Sequence, residues 1–184
     1  MRVISGKVKG TQLKAPQRRL TRPTTNLVRE AIFSILENIA SYWNRVLDLY
    51  AGTGALGIEA LSRGAEWADF VDQSRKCCNT IKYNLDKTGL PGKAHVYCCS
   101  VSKALVFLNN NYDIVFMDPP YSNPHTSNLL ATLANSELIG ENSIIVVCHA
   151  NRFPLNSDYD GLRLAEQRRY GDTFISFYQK GAKL

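Results

Sequence analysis

The sequence predicts an α/β protein, a mostly parallel sheet with helices on both faces. Three observations lead there. From Val46 to Cys148, short apolar runs alternate with segments of helical apolar spacing, the order that builds β-α-β units. A glycine-rich turn follows the first apolar run, where such a unit opens its helix. The last two strand-like runs, Leu162 to Arg169 and Thr173 to Gln179, are joined only by Tyr170-Gly171-Asp172. So short a connection forces an antiparallel pair, so the sheet should contain one reversed strand.

The elements follow in chain order. Val3-Ile4 and Gln12-Leu13 flank a turn-prone stretch from Gly6 to Gly10 and read as a small hairpin. Pro16 and Pro23 bracket a basic connector. Thr24 or Thr25 can cap a helix, with Asn26 beside them. Leu27, Val28, Ala31, Ile32, Ile35, Leu36 and Ile39 give that helix an apolar stripe. Residues 1–40 thus form a basic hairpin-and-helix extension, and 41–184 the main domain. In the main domain the strands are Val46 to Tyr50, Trp67 to Val71, Ala94 to Cys99, Ile114 to Met117 and Ile144 to Cys148. The helices between them are Ala55 to Arg63, Arg75 to Lys87, Ser102 to Leu108 and Ser127 to Ala134. The closing hairpin completes the sheet.

Composition narrows the function. A chain of 184 residues suits one domain with a substantial core. No apolar run approaches membrane-spanning length and no apolar segment follows the start, so a cytoplasmic protein is expected. The five cysteines fall as Cys77-Cys78, Cys98-Cys99 and Cys148, and His95, His125 and His149 lack metal-ligand spacing. Buried thiols and no metal are expected. Charge is uneven. Arg2, Lys7, Lys9, Lys14, Arg18, Arg19, Arg22 and Arg29 face no acid within the first 29 residues, a charge of +8 in a chain of net +6. A localised basic segment suits a polyanion, nucleic acid above all.

Two motifs carry chemistry. The run Tyr112-Asp113-Ile114-Val115-Phe116-Met117-Asp118-Pro119-Pro120-Tyr121 begins as a buried strand and stops at two prolines, which cannot continue a central strand. The corner offers the Asp118 carboxylate, the Pro119 carbonyl and the Tyr121 ring. Two acceptors and a stacking ring suit a planar amine on a nucleobase. Capping by Asp118 and simple strand termination by the prolines is the plainer alternative. The second motif is Asp48-Leu49-Tyr50-Ala51-Gly52-Thr53-Gly54-Ala55-Leu56-Gly57, with Asp72 twenty residues after Gly52. The glycines admit a ligand close to the backbone, and Asp72 suits ribose hydroxyls or the cap of the next helix. A nicotinamide dinucleotide and S-adenosylmethionine both fit such a loop. Asp48 favours the second, because a carboxylate there suits the ammonium of a methionine moiety and repels a pyrophosphate.

D-x-x-A-G-x-G-x-x-G, an acid after strand two and D-P-P-Y after strand four, in that order, resemble the amino-methylating class I methyltransferases. The segments Met1 to Gly10, Arg22-Pro-Thr-Thr-Asn-Leu-Val-Arg-Glu-Ala31 and Arg169-Tyr-Gly-Asp-Thr173 are similar to the bacterial 16S ribosomal RNA guanine-N2 methyltransferase family. That resemblance implies a Rossmann-like class I methyltransferase with a seven-stranded sheet and S-adenosylmethionine across the strand ends. It implies cofactor contacts from Asp48, Tyr50, Gly52, Thr53, Gly54, Asp72, Gln73, Ser100, Val101 and Asp118. It implies a target guanine held by Asp118, Pro119, Pro120 and Tyr121, and ribosomal RNA gripped by Arg2, Lys7, Lys9, Arg18, Arg19 and Arg22. A monomer acting on a small-subunit particle is expected. One departure stands out. Cys99-Ser100-Val101 occupies the place where the family usually has an acid for the adenine amine. Ser100 offers an uncharged substitute. Adenine-N6 methylation of DNA, a nicotinamide-dependent oxidoreductase and a non-catalytic RNA-binding module are the competing readings. His125 and Asn123 suit the cap of the following helix, and His149 a structural role. Phe153 is either a lid or a packing residue.

Overall fold

The computed structural model describes residues 1–15, 26–40, 42–120 and 125–181. The elements run α1 (Asn26–Ile39), β1 (Arg45–Leu49), α2 (Ala55–Ser62), β2 (Trp67–Val71), α3 (Arg75–Thr88), β3 (Ala94–Tyr97), α4 (Val101–Phe107), β4 (Tyr112–Met117), α5 (Thr126–Ala134), β5 (Ile139–Ala150), β6 (Asp158–Tyr159), β7 (Leu162–Tyr170) and β8 (Thr173–Lys180). They form one sheet in the order β3-β2-β1-β4-β5-β8-β7-β6. Strands β1 to β5 are mutually parallel, whereas β8 runs antiparallel to β5 and β7, and β6 antiparallel to β7. The seven expected strands are present, and two-residue β6 adds an eighth at the edge. Two strands are therefore reversed, not one.

Each face of the sheet has its own core. Val46, Phe70, Ile114, Phe116, Val146 and Phe177 meet residues of α1, α2 and α3 on one side. Leu47, Leu49, Val115, Met117, Ile145 and Tyr178 meet α4 and α5 on the other. Alternation along each strand divides these sets, as a two-faced sheet requires. The strand order reverses direction between β1 and β4, which opens a crevice at their carboxyl ends.

Element boundaries differ from expectation for local reasons. Strand β5 starts at Ile139 rather than Ile144, and its register with β4 shifts between Tyr112 and Ile114. Gly140, Glu141 and Asn142 hide that start, since they are polar or lack a side chain, and Asn142 takes φ 67°. In α1 the apolar stripe is rotated. Leu27 points outward at 62% exposure, while Phe33 and Arg29 are fully buried. The Thr24 and Thr25 caps lie outside the described residues.

The first fifteen residues make a single antiparallel bridge, Arg2 to Gln12, around a turn. This strap is bound to the domain through polar side chains. Both Glu59 oxygens accept backbone amides, from Ile4 at 2.7 Å and Ser5 at 2.9 Å. Arg63 donates to the same carboxylate at 2.9 Å, and the Arg29 guanidinium stands 3.9 Å from it. Arg29 also donates to the Arg2 carbonyl at 2.7 Å. Asn84, fully buried, receives the Lys14 amide and donates to the Lys14 and Thr53 carbonyls. Gly6 sits so tightly that an added Cβ would lie 1.9 Å from the Ser62 carbonyl oxygen. Val3 and Leu13 enter the same core as α1 and α2.

Glu59 and Arg29 are both fully buried, so removing one strands the other. Glu59→Ala should lower unfolding free energy by about 3–5 kcal/mol, read as a fall in the urea midpoint. Glu59→Gln, which keeps an acceptor for the strap amides, should lower it less.

Candidate active site

The two sequence motifs meet at the crevice. Asp48 lies in β1 and Asp118 directly after β4, and these strands are neighbours in register, Leu49 opposite Met117. Strands lie about 4.8 Å apart, so the corners stand side by side. Asp72 follows β2 on the other side of β1.

The Asp48 side chain is buried at 2% exposure, and its Oδ2 accepts the Gly57 amide at 2.9 Å. That amide belongs to the first turn of α2, where backbone donors lack helical partners. Burial pushes the Asp48 carboxyl well above the usual carboxylate range. The Gly57 amide opposes the shift, and Asp118 and Asp72 add to it by repulsion. Burial, with repulsion from Asp118 and Asp48, likewise pushes the Cys148 thiol up. Three carboxylates thus converge on one low-dielectric crevice. Such a site suits a cation and opposes a pyrophosphate.

The loop between them is shaped by left-handed backbone. Tyr50, Gly52 and Gly54 have φ of 59°, 56° and 75°. Asp72 spans two elements, with Oδ2 on the Gly52 amide at 2.9 Å and Oδ1 on the Ser74 amide at 2.8 Å. The helix cap of α3 is Ser74, not Asp72. Gly57 has a packing reason: a Cβ there would lie 2.4 Å from the Phe70 ring. Thr53 contributes its carbonyl to Asn84 and its hydroxyl to the Met1 sulfur at 3.8 Å. The chain's first residue therefore touches the cofactor loop. Asn84 is a positioning residue that the sequence hid, because a polar residue within a helical pattern reads as surface.

Ser100 has a local role that the sequence did not disclose. Its hydroxyl caps α4, accepting the Lys103 amide at 3.3 Å, and Val101, the first residue of α4, is buried in the core. Gln73 is exposed beside Asp72. Asp118 is half-buried, Pro119 buried and Pro120 exposed. Tyr121 and Asn123 lie outside the described residues, as do Arg18, Arg19 and Arg22. Arg2, Lys7, Lys9 and Lys14 are exposed on the strap. Arg29 is internal and contributes nothing to that basic surface. His125 occupies the N-cap position of α5 without a side-chain cap bond. The His149 ring is fixed between the Phe153 carbonyl at 3.1 Å and the Ser176 hydroxyl at 2.9 Å, and burial lowers its pKa. Phe153 thus supplies a backbone partner for His149, while its ring lies beside Arg152. The cysteines are less uniform than expected. Cys78 and Cys148 are buried, Cys77 and Cys99 half-buried and Cys98 exposed. Among the described residues, no group of three His, Cys, Asp or Glu side chains could hold a metal ion, and no helix is long and apolar enough to cross a membrane.

Sheet order, glycine loop and strand-end acids together define a class I methyltransferase. Residues 1–179 match the family described as "Conserved hypothetical protein 95", and the chain belongs to that family. It is 38% identical to "Putative rRNA methyltransferase YlbH" of Bacillus subtilis, over 98% of this chain and 99% of that one. It is 32% identical to "Ribosomal RNA small subunit methyltransferase D" of Escherichia coli strain K12, over 80% of this chain and 73% of that one. The solved structure "Putative methyltransferase yhhF from Escherichia coli" superposes with a TM-score of 0.85 at 28% identity, covering 100% of this chain and 99% of that one.

The raised pKa of Asp48 means that the folded chain keeps a proton the unfolded chain releases. Asp48 therefore costs stability as pH rises above the ordinary carboxylate range. Asp48→Asn, which still accepts from Gly57, should remove that cost. Its melting temperature without ligand at neutral pH should rise by about 2–4 °C, for about 1 kcal/mol. Its affinity for S-adenosylmethionine should fall about tenfold by calorimetry.

Proposed function

We propose that this protein transfers a methyl group from S-adenosylmethionine to the exocyclic N2 amine of a guanine in small-subunit ribosomal RNA. The observation that carries this reading is the adjacency of Asp118 to Asp48 and the glycine loop across the switch point. The names of the relatives support the substrate class.

The residues present fit the cofactor. Asp72 and Asp118 supply negative charge for its cationic groups, the Asp48 carboxyl adds an acceptor that a bound cation favours in its ionised form, and the turn from Tyr50 to Gly54 supplies close backbone. When bound, S-adenosylmethionine supplies an electrophilic methyl group on a sulfonium. The chain's own residues prepare the amine. The Asp118 carboxylate and the Pro119 carbonyl accept its two hydrogens, which frees the nitrogen lone pair from the ring. They also stabilise the positive charge that grows on nitrogen as it is methylated. Asp118 then takes the surplus proton and passes it to water. Tyr121 stacks on the base, worth about 1–3 kcal/mol. Placement contributes more, about 7–11 kcal/mol in well-oriented systems. The guanine must leave its stack to reach this corner.

Residues 1–40 serve as the RNA-binding extension, with Arg2, Lys7, Lys9, Arg18, Arg19 and Arg22 on phosphates. The substrate is a small-subunit particle, and the protein works as a monomer in the cytoplasm.

Labelled S-adenosylmethionine and small-subunit particles lacking the modification test the reading directly. N2-methylguanine should be the labelled nucleoside, and N6-methyladenine or no label would overturn it. Asp118→Ala should abolish transfer while S-adenosylmethionine still binds. Replacing Arg2, Lys7 and Lys9 by Gln should lower the slope of log affinity for RNA against log salt by about two to three units. An unchanged slope would remove the strap from the interface.

A further inference from the structure

The basic strap lies on the α2 and α3 side of the crevice. The opposite side is bounded by β5, β8 and the β7–β8 turn, and it carries a second group of cations over rings. His149 and Phe174 face each other across β5 and β8, with rings stacked at 5.7 Å and an interplanar angle of 20°. The Arg169 guanidinium stands 5.9 Å from the Phe174 ring, and its Nε donates to the Gly171 carbonyl at 2.9 Å. Arg152 stands 5.3 Å from the Phe153 ring, in the loop whose carbonyl holds His149. Both arginines are exposed. Asp172 is the acid in the same turn.

Position gives this group its meaning. Met117 pairs with Val147, so the residues that follow, Asp118 and Pro119, come level with Cys148 and His149. Phe174 is one strand further on. At about 4.8 Å per strand, it stands roughly 10 Å from Pro119, about one nucleotide along a strand drawn across the sheet ends. A guanidinium beside an aromatic face is suited to a phosphate and its base. The column is also rigid, since His149 is hydrogen-bonded at both ring nitrogens and Gln167 donates to the same Ser176 hydroxyl.

We infer that Arg169 and Phe174, backed by Arg152, seat the single-stranded RNA nucleotide that flanks the target base. The inference rests on the RNA-methylating reading above. The strap and this column then hold the RNA from both sides of the crevice. The net charge of the sequence conceals the second contact, because acids elsewhere in the chain offset these arginines.

Arg168 supplies an internal control. It points to the other face of β7 and pairs with Glu166 at 2.7 Å. The test compares Arg169→Ala, Phe174→Leu and Arg168→Ala, each confirmed as folded by its melting curve. The leucine keeps apolar bulk over His149 and removes the π face. With small-subunit particles as substrate, the first two should raise the RNA KM about tenfold, with kcat at saturating RNA and affinity for S-adenosylmethionine unchanged. Arg168→Ala should leave KM as in the wild type. The inference is overturned if Arg169→Ala and Phe174→Leu stay within about twofold of the wild-type KM, or if Arg168→Ala matches their loss. If the wild type methylates no RNA, the functional reading fails instead. RNA affinity by fluorescence anisotropy of the same three variants then decides the column by the same ordering.

Discussion

A buried hydrogen bond from the Gly57 amide to the Asp48 carboxylate joins the central strand to the helix that follows it. Both partners need it. The amide belongs to a helix end with no internal acceptor, and the carboxylate is buried where water cannot reach it. The bond holds α2 against β1 and β2, and Gly57 must lack a side chain for Phe70 to fit beneath it. The bond does not fully offset the burial, and Asp48 stays proton-hungry beside Asp72 and Asp118. The contact that seats the helix therefore also sets the electrical character of the crevice, which is ready for positive charge before any ligand arrives.

Much of this was legible in the sequence because it is written in periodicity. Alternating runs gave the parallel strands and their helices, and two prolines marked the end of β4. Partnership across the fold was not legible. Leu27 and Arg29 exchange their expected sides because Glu59, thirty residues later in the chain, is buried opposite the arginine. Ser100 reads as a weak stand-in for an acid, yet its hydroxyl caps α4. Asp72 reads as a ribose ligand or a cap; the cap is Ser74, and the Asp72 carboxylate also ties the Gly52 amide to the Ser74 amide. None of these pairings has a local pattern, so hydropathy could not announce them.

Summed charge was a similarly blunt guide. It located the basic strap correctly in sequence but counted Arg29 with it, and it passed over the arginines beyond β5. The structure separates a buried cation that holds the strap down from exposed ones that face solvent. Burial and ring contacts made that distinction, and composition cannot.

The strap differs from a detachable arm in how it is fastened. Its backbone is received by Arg29, Glu59, Ser62 and Asn84, side chains that belong to α1, α2 and α3, and Asn84 also carries the Thr53 carbonyl of the glycine turn. A chimera that exchanged only the first fifteen residues with another enzyme would thus inherit sockets cut for a different plug. Any successful graft has to travel with those four receptors, which makes the inheritable unit a discontinuous one, spread over the strap and three helices.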